Sequence, residues 1–422
     1  MYLINKMDLK MIYYNKNILM CEDIKISNLV KIYKTPFYVY SKNDILEKIR
    51  HLKNIFSEIK DCSIVYAIKA ENNLSILKLM IEEEIGGDVV SIGEILKYIK
   101  AGGKAENIVF SGVAKSEEEI KKSIELNIKR FNIESFPEAI RINDIAKELK
   151  RKVKCSIRVN PNVDAHTHEK ITTGINGNKF GVSIKTIREN SKLLKSLDNI
   201  EIESLSMHIG SQMVDAEPFY RAIIVMKSLI EEINNMGFNI KNIDIGGGFG
   251  VRYNRDHSGF DFEKFKKESI NLLKEMGLSV TVEPGRYFVA EAGALIMKIE
   301  YIKEELNRKY VILDGGMNDY IRVAMYEAYN EIAPLIKREG FSNYDFVGPI
   351  CESSDIFASD RECALLEAGD YVALLDAGAY GYSMAGNYNS RPLIAQIMVD
   401  KDKNYIIRKE QSFEDMIKDE LL

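Results

Sequence analysis

The stretch Ser63-Ile-Val-Tyr-Ala-Ile-Lys-Ala-Glu-Asn-Asn-Leu-Ser-Ile-Leu-Lys-Leu-Met-Ile-Glu-Glu-Glu-Ile-Gly-Gly-Asp-Val-Val90 decides the fold. Residues 63–68 form an apolar run of strand length. Residues 74–83 place Leu, Ile and Met at helical spacing among Lys and Glu, and 86–90 form a second β-like run. A strand, a helix and a strand within 28 residues make a crossover unit, the connection that parallel strands require.

The same alternation runs from about residue 42 to 290. The candidate strands are 63–68, 86–90, 107–111, 130–133, 153–159, 203–207, 241–245 and 279–283. The helices between and around them are 41–60, 74–83, 93–101, 116–126, 136–150, 184–196, 216–236 and 261–276. Eight such units predict a (β/α)8 barrel of the TIM type. A doubly wound open sheet uses the same units, and periodicity leaves it open. Polar residues favour the barrel, because they gather where strands end: Lys69, Asp88 with Ser91, Ser111, Glu134, Arg158 with Asn160, His208, the glycines at 246–250, and Glu283 with Arg286. Active sites of such barrels lie at the C-terminal ends of the strands.

Beyond about residue 290 the pattern becomes short, turn-bounded β-like runs, as at 309–314, 344–348, 371–376 and 394–399. Lys34-Thr-Pro-Phe-Tyr-Val-Tyr40 reads the same way. The expected division is a barrel over 42–290 and a β-rich second domain, sandwich- or barrel-like, from 1–41 and 291–422. A chain of 422 residues is long enough for two cores.

Composition narrows the partners. With 58 basic and 63 acidic residues the net charge is −5, which offers no basic excess for nucleic acid or an anionic membrane. Five scattered cysteines without a CxxC fit a reducing compartment and no zinc site. The N-terminus shows no signal-peptide core and the chain no long apolar span, so a cytoplasmic protein is expected. His166-Thr-His168 is a weak metal signal without clustered carboxylates, and no metal is expected. The glycine-rich 160–181 stretch reads instead as a loop over a site.

Most lysines are surface residues, but Lys69 directly follows a strand expected to be buried on both faces. A buried amine loses proton affinity and suits Schiff-base chemistry. Gly246-Gly-Gly-Phe-Gly250 is neither GxGxxG nor a P-loop, yet it lets backbone N–H groups approach an anion. Glu283-Pro-Gly-Arg286 brings a carboxylate and a guanidinium to one turn, where an ordinary solvent ion pair is the competing reading. His208 is one of only five histidines and sits at a strand end, where a satisfied core histidine is the bland alternative. Cys351 follows a Gly-Pro break among polar residues, which suits a reactive thiol better than a core one. Tyr380 lies among small residues where a ligand can approach.

Together these segments resemble the barrel-type pyridoxal 5'-phosphate (PLP) decarboxylases, and within them the diaminopimelate decarboxylase branch, over about residues 35–415. The matching motifs fall in family order. They are Tyr66-Ala-Ile-Lys-Ala70, Asp88-Val-Val-Ser91 with Gly93-Glu94, Asn160-Pro161 through His168, Thr173-Gly174 to Gly181, His208-Ile-Gly-Ser-Gln212, the glycine loop, Glu283-Pro-Gly-Arg286, Gly348-Pro-Ile-Cys-Glu-Ser-Ser-Asp355 and Gly378-Ala-Tyr-Gly381. The resemblance implies that Lys69 binds PLP and His208 stacks on its ring. Gly247, Gly248, Gly285 and Arg286 would surround the phosphate with Tyr380 nearby, Ser211 and Asp88 would line the cofactor site, and Glu283 would keep the ring nitrogen protonated. Arg286, Arg322, Tyr326 and Tyr380 would contact the substrate, Glu352 its distal ammonium, and Cys351 would be the proton donor in a partner subunit's site. A homodimer with shared sites follows, acting on meso-2,6-diaminopimelate to yield L-lysine and CO2 in lysine biosynthesis. The run Ile321-Arg-Val-Ala-Met-Tyr326 and Leu393 depart from the family pattern. Decarboxylation of ornithine, lysine or carboxynorspermidine, or a non-catalytic PLP-binding regulator, therefore stand as alternatives.

Overall fold

The computed structural model describes residues 10–164, 179–254 and 258–421. The chain divides into two compact units, one of Ile49–Val251 and Ser258–Tyr287, the other of Met1–Lys48, Arg252–His257 and Phe288–Leu422.

The first unit is a closed parallel barrel. Its strands Cys62–Ala67, Gly86–Val89, Ile108–Phe110, Arg130–Ile133, Val153–Asn160, Ile200–Ser206, Asn242–Asp244 and Ser279–Val282 each pair in parallel with the next. Ser279–Val282 then pairs with Cys62–Ala67 and closes the ring. A doubly wound sheet would keep two edges, and closure excludes it. The interior is polar as well as apolar. Arg130 reaches Asn242 and Asp244 three strands away, which only inward-facing side chains can do.

Helix starts in this unit have a local cause. Ser91, Ser116 and Ser135 each accept the N–H of a Glu three residues on, and Ser116 with Glu119 forms a complete capping box. Pro137 follows in the first turn of the helix Phe136–Glu148, where its missing N–H costs nothing. These caps set where each crossover begins and so where each strand's C-terminal loop ends.

The second unit is β-rich. Strands run in the order Ile356–Ala364, Phe341–Val347, Arg308–Leu313, Gly293–Glu305, Phe37–Ser41, Ala395–Asp400, Lys403–Arg408, and Tyr371–Leu374 also pairs with Gly293–Glu305. Gly293–Glu305 is 13 residues long and serves both halves, with a register shift between Ile299 and Tyr301. Apolar residues cover one face: Phe37, Val39, Ala294, Ile296, Ala373 and Ile397, with Leu19, Ile26 and Leu29 from the N-terminal segment packed on them. The strands at 12–25, 293–305, 356–364 and 403–408 lie outside the runs read from sequence. Gly293–Glu305 starts with five consecutive buried residues and ends exposed, and Lys403–Arg408 buries none, so neither shows a single period of two.

Candidate active site

All eight barrel strands are parallel, so their C-terminal ends share one rim. Lys69 stands there in the single turn Ile68–Ala70. The expectation of a buried amine is corrected: Ile68 and Ala70 are buried, but the Lys69 side chain is exposed. The strand is buried only over Val65–Ala67, and the tight turn swings the next side chain out of the wall. The charge of Lys69 still acts on Asp88, His208 and Glu283, which places it beside all three.

Asp88 and Glu283 are linked by two neutral side chains. Ser111 Oγ donates to Asp88 Oδ1 (2.7 Å) and accepts from Asn132 Nδ2 (3.1 Å), and Asn132 Nδ2 also donates to Glu283 Oε1 (3.1 Å). Both carboxyls are pushed above the ordinary range, first by burial. Asp244 and Asp88 add to the rise at Glu283, while Lys69 and Arg158 oppose it. His208 is held well below the ordinary imidazole range by desolvation and by the positive fields of Arg158 and Lys69, so its ring is neutral.

The glycine loop lies tight against its neighbours. A Cβ on Gly247 would fall 2.1 Å from Glu283 O, and one on Gly248, at φ +106°, 2.2 Å from Gly210 O. Only glycine fits at either position. Asp244 anchors the loop start, accepting from Gly246 N (3.0 Å) while its other oxygen pairs with the buried Arg130. Among the described residues, neither Gly247 nor Gly248 gives its N–H to a protein acceptor. Arg286 Nη2 donates to Ser211 Oγ (3.1 Å), and Gly285 passes so close to Ala67 and Ala70 that a Cβ would meet theirs at 3.0 and 3.2 Å. Glu134 ties Arg158 (2.6 Å) to the N–H of Gly181 (2.7 Å).

The β-rich unit holds the other expected residues. Cys351 is exposed, and its N–H donates to Asn389 Oδ1 (2.9 Å). Tyr388 Oη donates to Glu352 Oε1 (2.5 Å). Asn389 and Ser390 both adopt left-handed backbone (φ +55°), which asparagine tolerates better than most residues. Arg322 is buried, with Nη1 donating to Tyr253 Oη (3.1 Å) and Tyr320 Oη (2.9 Å). Tyr326 ends the short helix Arg322–Tyr326 and is half-buried. Tyr380, also half-buried and at φ +57°, follows Asp376 in the same loop. Asp376 pairs with Lys10 (2.8 Å), and Glu291 with Lys10 (3.1 Å) and Lys48 (2.5 Å). Despite that pairing, burial pushes Asp376 up to about 7.

Sequence reading missed Asn132, Arg130, Asp244, Tyr388, Asn389 and Lys10. None sits in a motif that announces chemistry. His166 and His168 lie outside the described residues, as does most of the 160–181 loop. Among the described residues no group of three or more His, Cys, Asp or Glu is placed to hold a metal, and no helix is long and apolar enough to cross a membrane.

Residues 42–290 match the family described as pyridoxal-dependent decarboxylase, pyridoxal binding domain. The chain is 41% identical over 409 residues to the diaminopimelate decarboxylase of Haemophilus influenzae, covering 96% of this chain and 97% of that one. Among solved structures it resembles diaminopimelate decarboxylase from Helicobacter pylori complexed with L-lysine, at 41% identity and a TM-score of 0.89, covering 93% and 98% of the two chains. It also resembles the M. jannaschii enzyme in co-complex with L-lysine, at 33% identity and a TM-score of 0.90, covering 97% and 98%.

Proposed function

The chain belongs to the pyridoxal-dependent decarboxylases, within the diaminopimelate decarboxylase family, and on that premise we propose that it converts meso-2,6-diaminopimelate to L-lysine and CO2 with PLP held at the barrel rim. The observation that carries the proposal is the meeting of Lys69, His208, the 246–250 glycines and Glu283 at one end of one closed barrel.

The rim residues fit PLP. Lys69 offers an accessible amine for its carbonyl. The Gly247 and Gly248 N–H groups suit a phosphate, with Ser211, Gly285 and Arg286 beside them. Glu283 is a desolvated carboxyl with raised proton affinity, which makes it a strong partner for a protonated ring nitrogen. Asp88 completes that wall. When bound, PLP supplies the sink for the electron pair left as CO2 departs. The neutral ring of His208 can lie against a pyridinium without charge repulsion.

The product constrains how the substrate is read. Loss of one carboxylate from the meso compound leaves L-lysine only if the L-centre is kept. The retained end therefore carries both a carboxylate and an ammonium. Arg286, Arg322 and Tyr326 are assigned to that carboxylate, Glu352 to the ammonium, and Tyr380 to a position near both substrate and phosphate. Cys351 is the acid that returns a proton to the carbon that lost CO2. L-lysine in the two solved relatives supports the assignment. The family resemblance implies a homodimer whose partner completes each site through Cys351, and the exposure of Cys351 is compatible with it. A cytoplasmic location fits this biosynthetic role.

The test is incubation of PLP-loaded protein with meso-diaminopimelate, ornithine, lysine and carboxynorspermidine in parallel. Lysine and CO2 should appear from the first alone. Comparable turnover of ornithine, lysine or carboxynorspermidine would move the substrate to that relative, and PLP binding without any product would leave the regulatory reading.

A further inference from the structure

The Glu283 carboxyl makes no ion pair among the described residues, and the one hydrogen bond it accepts there comes from Asn132. Asn132 stands on the strand Arg130–Ile133, opposite Glu283 across the barrel, and is buried. The string Asp88–Ser111–Asn132–Glu283 has a direction. Ser111 has a single hydroxyl proton and gives it to Asp88, so only its lone pairs face Asn132. Asn132 directs N–H bonds to Ser111 and to Glu283. Both ends of the string thus present a donated proton to a carboxyl oxygen, Ser111 to Asp88 and Asn132 to Glu283. Turned over, the Asn132 amide would present its oxygen to Glu283 and require a proton there. In the present orientation that oxygen meets no protein donor. The charged groups that act on Glu283 are Asp88 and Asp244, which disfavour its anion, and Lys69 and Arg158, which favour it. Among these, the neutral amide is the hydrogen-bond donor.

We propose that Asn132 is a positioning residue for Glu283. Backed by Ser111, its N–H favours the ionised form of the Glu283 carboxyl, the form that a pyridinium partner requires. This rests on the reading of Glu283 as the partner of the PLP ring nitrogen.

The experiment is a double-mutant cycle on the PLP-loaded enzyme with Asn132→Leu and Glu283→Gln, together with PLP titration of the apoprotein from pH 6 to 9. Removing one hydrogen bond to a charged group is expected to lower kcat about tenfold, with KM for the substrate within about twofold. PLP affinity should weaken most at the acid end, where Glu283 without its donor gains a proton more easily. In the Glu283→Gln background the same substitution should cost less than about twofold, because its target is gone. Equal losses in both backgrounds would make Asn132 merely structural and overturn the proposal, as would wild-type kcat and PLP affinity in Asn132→Leu. A Glu283→Gln enzyme with wild-type rate and PLP affinity would remove the underlying role of Glu283 and the inference with it. If Asn132→Leu fails to fold, Ser111→Ala enters the same cycle, with an expected loss of about threefold that also vanishes in the Glu283→Gln background.

Discussion

The barrel and the β-rich unit hold their expected functional groups in opposite ways. In the barrel, Asp88, Asn132 and Glu283 are buried and joined through Ser111 by hydrogen bonds that cross the interior, and a second buried link runs from Arg130 to Asn242 and Asp244. In the β-rich unit, Cys351 and Glu352 are exposed, and two contacts from Tyr388 and Asn389 hold them. The buried set is built for fixed electrostatics, where low dielectric makes each contact count. The exposed set is built for access, and solvent weakens each of its contacts. The first should respond to substitution in kcat and in PLP affinity; in the second, Glu352 should respond in KM and Cys351 in a turnover that subunit mixing restores.

The largest effect expected is on Lys69. Lys69→Ala should abolish turnover, and borohydride reduction of the PLP-loaded wild type should leave its adduct on Lys69 by mass spectrometry. An adduct on another lysine breaks the barrel-rim assignment. The same variant tests the exposed set. Mixed with Cys351→Ala chains and allowed to exchange, it should regain about a quarter of wild-type activity per site, since half the dimers are mixed and one of two sites works in each. No recovery despite proven exchange would return Cys351 to its own chain's site or remove it from the chemistry.

Next is Glu283→Gln, expected to slow decarboxylation on the order of a hundredfold while PLP stays bound. A near-wild-type rate in the loaded variant would show the buried carboxyl to be structural and erase the contrast with Glu352.

The third effect is on a charged cluster in the β-rich unit, formed by Lys10, Lys48, Glu291 and Asp376. Lys10→Met leaves Asp376 without its cation and Glu291 with Lys48 alone. The loss of stability expected is about 2 kcal/mol, less than for a fully buried pair because the Lys10 side chain is 27% exposed. The folded-state value of Asp376, about 7, lies above its ordinary 3.8. The folded protein therefore binds that proton more tightly than the unfolded chain, and this group's contribution falls as pH rises from about 4 to 7. Without Lys10 the Asp376 carboxyl binds its proton more tightly still and the fall continues to higher pH, so the Tm gap between variant and wild type should widen from pH 5 to pH 8. A gap that stays constant would show that Lys10 does not offset the Asp376 charge.

The smallest effect belongs to Tyr388→Phe. Losing one exposed hydrogen bond to Glu352 should raise KM for diaminopimelate about three- to fivefold with kcat nearly unchanged. A fall in kcat with constant KM would place Tyr388 in the chemistry instead of in substrate binding.

Local patterning carried much of the fold. The 63–90 crossover and its repeats match observed strands such as Cys62–Ala67, Arg130–Ile133 and Ser279–Val282 to within a residue or so, because burial on a strand or helix imprints a period on the chain. The glycines at 246–250 and the Glu283-Pro-Gly-Arg286 turn were legible because few other residues fit such backbone. Other features were decided only in three dimensions. Ring closure between 62–67 and 279–282, the Asn132–Glu283 bond over 151 residues of chain, the tyrosines around Arg322 and the outward swing of Lys69 leave no periodic trace. Periodicity records which face of an element is buried, whereas a contact between distant residues depends on how strands are ordered and how the sheet closes, and that is fixed only when the whole barrel packs.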